Sequence, residues 1–63
     1  MTLDQIKRQA QAAANREGAP RAVLNFNRAG LPCYVIRDVP PPEVVEREGR
    51  GFLVATFEPE GEA

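Results

Sequence analysis

Leu3, Ile6, Ala10, Ala13 and Ala14 recur at intervals of three and four, while Lys7, Arg8, Gln11 and Asn15 fall on the opposite side. That spacing predicts an amphipathic helix. Thr2 stands where a cap is wanted, and Gln5 completes the capping-box pattern three residues on. Asp4 suits the positive end of the helix dipole. Gly18 and Pro20 supply the stop, so the helix should run from Leu3 to Glu17. Its buried stripe is mostly alanine. It can approach its neighbour closely but contributes little apolar area.

Three extended runs follow. Residues 21–27 alternate, with Ala22, Leu24 and Phe26 on one face and Val23, Asn25 and Asn27 on the other. Arg28-Ala29-Gly30-Leu31 is a turn, which predicts a hairpin. Residues 32–39 are apolar on both faces: Cys33, Val35 and Val39 on one, Tyr34 and Ile36 on the other. The third run, residues 51–57, is two-sided as well. Pro40-Pro41-Pro42 should break helix and sheet ladder alike. Residues 43–48 have room for one helical turn, and Gly49-Arg50-Gly51 reads as a tight return. The expected fold is α+β: an N-terminal helix packed on a three-stranded antiparallel meander (αβββ). Residues 1–63 form a single small domain, with a Pro/Glu-rich connector at 40–50 and a frayed acidic tail at 58–63.

The two-sided strands carry the functional argument. A meander covered on one face should turn polar residues to water on the other. The second and third runs do not, and one alanine-lined helix cannot shield both faces. The exposed remainder would form an apolar patch of the size that marks interaction surfaces. The expectation is a homodimer, with Val23, Tyr34, Ile36, Phe52 and Val54, or their opposite-parity neighbours, as the self-association face. The alternative cover for that face is the 40–50 segment together with the tail. A 63-residue chain buries only about 60% of its unfolded surface, so a partner would also supply missing stability.

Charge adds a second candidate surface. The net charge is −1, but residues 1–42 carry six basic and three acidic side chains, and residues 43–63 carry two basic and six acidic. Arg21, Arg28 and Arg37 are the candidate contacts for an acidic partner, an unidentified protein. The runner-up is a sheet-face DNA-binding regulator, in which these arginines and Asn25 and Asn27 read base edges. The overall acidity opposes it.

Catalytic chemistry is poorly served, and no enzyme is expected. The chain has no Ser and no His, so neither a Ser-His-Asp nor a Cys-His arrangement can be written. Cys33 sits in an apolar strand and reads as a small core hydrophobe. Glu43/Glu46 and Glu58/Glu60 lie in segments that should be wet, and they lack calcium-loop spacing. Gly49-Arg50-Gly51 precedes a strand, so it is not a phosphate loop. No cofactor or metal is expected. A lone cysteine, a polar start and the lack of an apolar run near the roughly 18 residues of a membrane span predict a cytoplasmic protein that does not enter membranes. The Arg-, Ala-, Gly- and Pro-rich composition suggests a small bacterial or phage-type accessory protein.

Overall fold

A computed structural model describes residues 2–60. Helix α1 spans Leu3–Glu17. Its capping box is complete: the Gln5 backbone N–H donates to Thr2 Oγ1 at 3.2 Å, and the Thr2 N–H donates to Gln5 Oε1 at 2.9 Å. At the other end Gly18 turns left-handed (φ 66°), and its N–H donates to the Ala14 carbonyl at 2.8 Å.

The strands are β1 (Arg21–Asn25), β2 (Tyr34–Arg37) and β3 (Leu53–Phe57), and a second helix, α2 (Pro42–Glu48), lies between β2 and β3. The α+β, αβββ architecture is present, with β2 and β3 each antiparallel to β1. The meander order is not. The sheet runs β2-β1-β3, so the first strand is central and the second is an edge. β2 and β3 are therefore parallel to each other, and α2 carries the chain across the sheet between them. Such a crossover needs a dozen or more residues, and the segment after Arg37 has that length. Pro32 and Pro40 flank β2, which suits an edge position. Pro42 does not forbid helix either. It occupies the first turn of α2, where its missing N–H would have had no partner.

β1 is the core of the molecule, with Ala22, Val23 and Leu24 buried. Its two parities face two different helices. Val23 packs with Ile6 and Ala10 of α1, flanked by Leu3, Tyr34, Ile36, Val54 and Phe57. Ala22 and Leu24 pack with Phe52 on the other side, flanked by Val35, Leu53 and Val44 of α2. The two-sidedness of the third run has a local cause. The pairing slips between Val23 and Leu24: Val23 faces Ala55, but Leu24 faces Leu53. Val54 is the extra residue of this bulge, and beyond it the strand changes faces.

The 58–63 tail, expected to fray, is tied down over its described part. The Gln11 side chain donates to the Glu58 carbonyl at 2.7 Å, and the Glu60 N–H donates to Asn15 Oδ1 at 2.7 Å. The polar side of α1 thus holds residues 58–60 in place. Residues 61–63 lie outside the described residues.

Candidate interaction face and arginine cleft

The hairpin turn fixes which side chains reach which face. Arg28 and Leu31 exchange backbone hydrogen bonds at 2.9 and 2.8 Å around Ala29 and Gly30. Both turn residues have positive φ, 51° and 79°, which makes a type I′ turn. The register is unbroken from Ala22↔Arg37 through Asn25↔Tyr34 to Arg28↔Leu31. Phe26 and Leu31 therefore share the parity of Leu24 and Val35, the face turned away from α1. Val39 continues the same parity just past β2. Among the described residues these three are the large apolar side chains left exposed: Phe26 41%, Leu31 69% and Val39 41%. The apolar excess is confined to one face.

Against that face stands only α2. It has seven residues, no side-chain cap and no buried residue, and it contributes the half-buried Val44 to the second cluster. The 40–50 segment thus covers part of the face, over Ala22 and Leu24, and leaves the β2 side open.

Four of the five expected self-association residues lie elsewhere. Val23, Tyr34, Ile36 and Val54 belong to the α1 side of the sheet, and Val23 is fully buried there. The reason is that α1 takes the parity of Val23, which periodicity alone left open. Phe52 is on the second side but is nearly covered, edge-on to Phe26 with ring centroids 5.5 Å apart and an interplanar angle of 75°. The opposite-parity neighbours are the exposed ones.

Both sheet edges are blunted. In the β1–β2 ladder Phe26 and Cys33 are a bonded pair, so the backbone groups of Tyr34 and Ile36 point outward. Arg37 Nη1 donates to the outward Ile36 carbonyl at 3.0 Å, covering an acceptor another strand would need. On the far edge the Val54 bulge disrupts β3. Among faces and edges, the open face is the surface best suited to contact.

The three candidate arginines separate. Arg21 binds within the chain: it hydrogen-bonds Glu17, and its Nη1 reaches Asp38 Oδ1 at 2.8 Å. Its hydrogen bond to the Glu17 carboxylate, reinforced by the charges of Glu17 and Asp38, holds its pKa above the ordinary value against the opposing cost of desolvation. A raised cation pKa contributes stability that is fully present below the unfolded-state pKa and is lost only as the pH rises through the folded-state one, so Arg21 adds no pH dependence near neutrality. Arg37 is spent on its own strand. Of the three, Arg28 alone makes no side-chain hydrogen bond or ion pair among the described residues, and it has company that the sequence does not suggest.

Arg28 lines a cleft of about 400 Å³ with Asn27, Glu48, Arg50 and the Phe26/Phe52 pair. Among the described residues neither Arg28 nor Arg50 forms an ion pair. Arg50 sits between Gly49 and Gly51, at φ 90° and 85°. Gly49 has ψ −173°, a conformation essentially reserved for glycine. The loop read as a tight return is that, and it also places Arg50 in the lining of the cleft beside the hairpin.

Two residues of the DNA-reading set are engaged within the chain. Arg21 is ion-paired, and Asn25 Oδ1 accepts from the Cys33 backbone N–H at 3.0 Å, replacing a ladder bond. Cys33 itself is half-buried. Glu43 and Glu46 are exposed on α2. Among the described residues no group of His, Cys, Asp or Glu could hold a metal ion, and no helix is long and apolar enough to cross a membrane. No protein-family profile, curated protein or solved structure matches the chain.

Proposed function

We propose that the chain is a non-enzymatic interaction module that pairs with a second copy of itself through the sheet face opposite α1. The observation that carries this is the shared parity of Phe26, Leu31 and Val39, exposed together beside a seven-residue helix too short to cover them. The chain exposes 4662 Å², whereas a compact monomer of 6.9 kDa exposes about 4000 Å². The radius of gyration is also large, 12.1 Å against about 10.6 Å for a compact chain of this length. A two-fold pair closed over the apolar face would supply both the missing cover and the missing stability.

Sedimentation equilibrium across a concentration series tests this. The expected result is a dimer that dissociates on dilution and is abolished by Leu31→Asp. A strict monomer at about 100 μM would remove the proposal.

A further inference from the structure

We propose that the cleft between the hairpin and the α2–β3 turn binds an acidic peptide segment, with carboxylates on Arg28 and Arg50 and an apolar side chain against Phe26. The site adjoins the apolar stripe, sharing Phe26 with it and taking Arg28, the cross-strand partner of Leu31, and it rests on the reading of the chain as an interaction module. Its volume, about 400 Å³, falls in the range of ligand pockets. Its wall is an aromatic pair with one exposed ring. Its two guanidiniums have no ion-pair partner among the described residues. Guanidinium forks match carboxylates with paired, charge-assisted hydrogen bonds.

The remaining lining decides between anions. Glu48 and Asn27 stand in the same cleft. Both offer acceptor oxygens, and a peptide brings backbone N–H groups to them along with its carboxylates. A phosphodiester strand brings no backbone donors and meets Glu48 with repulsion. The glutamate is only loosely answered by Arg47, whose Nε lies 3.7 Å away. Two arginines in a chain of net charge −1 also fall short of the basic track that a nucleic-acid strand requires. Donors, acceptors and an apolar wall together fit a peptide.

The test is an NMR titration of the full ¹⁵N-labelled chain with a blocked peptide of glutamate, glycine and phenylalanine. The controls are the same peptide with glutamine for glutamate, and a short oligothymidylate. The acidic peptide should shift Asn27, Arg28, Arg50 and Phe52 resonances. Binding should weaken about tenfold with the glutamine peptide and with R28Q or R50Q. The unbound spectra report whether those variants remain folded. R50Q lies off the apolar stripe and should still dimerise, whereas Leu31→Asp should bind peptide as a monomer. Equal binding of the two peptides, tighter binding of the oligonucleotide, or shifts confined to other surfaces would overturn the assignment.

Discussion

The two faces of the sheet received different helices. On one, fifteen residues with a complete capping box and a glycine stop bury Ile6, Ala10, Ala13 and Ala14. That helix closes over Val23 at the centre of β1. On the other, seven residues without a side-chain cap bury none of their own side chains. Ala22 and Leu24 are covered there, but Phe26, Leu31 and Val39 are not. One face is finished by the chain alone. The other is covered only over its middle, and Phe26, Leu31 and Val39 stay exposed at its rim. The lesson lies in the division of labour: one strand, β1, serves two cores, and only one of them is closed by a long helix.

The same chemical change on the two faces should break this comparison most sharply. Val23→Asp places a carboxylate where no water reaches and no cation stands, and should cost several kcal/mol. For a domain this small that is most of its stability, so circular dichroism should report an unfolded chain. Leu31→Asp changes an exposed side chain and should shift the dissociated fold by within about 0.5 kcal/mol while removing association. If both variants unfold alike, the two faces are not different in kind. A smaller effect sharpens the account of α2. Val44→Ala removes the contact that helix makes with the second cluster and should cost about 1 kcal/mol in a urea titration. No loss at all would mean that α2 does not cover the face.

The elements of this fold were legible where local chemistry decides them. Thr2, Gln5 and Gly18 bracket α1, and Ala29-Gly30 makes the hairpin, with nothing but neighbours involved. Strand order was not legible, because it depends on how the crossover after Pro40 travels, and the prolines say where the ladder stops but not which way the chain turns. Nor was the parity taken by α1, since Val23 and Leu24 are equally apolar and only long-range packing chooses between them. The bulge at Val54 hid behind a run that read as two-sided. Arg50 reads as part of a turn, and its place in one cleft with Arg28 needs two loops distant in sequence to be brought together. Leu31 was missed for a similar reason. As a turn residue it was set aside, yet the register around Ala29-Gly30 returns it to the face of Leu24.

That turn offers the gentlest probe, because it acts on both faces at once. Ala29 holds φ 51°, a left-handed conformation in which its Cβ crowds the backbone. Asn tolerates this region better, and Asn-Gly is the favoured pair for a type I′ turn. Ala29→Asn should therefore raise stability by about 0.5–1 kcal/mol in urea titrations. Because the turn sets the register for the whole hairpin, and the Ala29 side chain belongs to neither the α1 core nor the apolar rim, the gain should be the same in dilute and concentrated protein. A gain that appeared only in concentrated protein would place the turn inside the contact between copies. The boundary of the association face would then have to move from Leu31 to the tip of the hairpin.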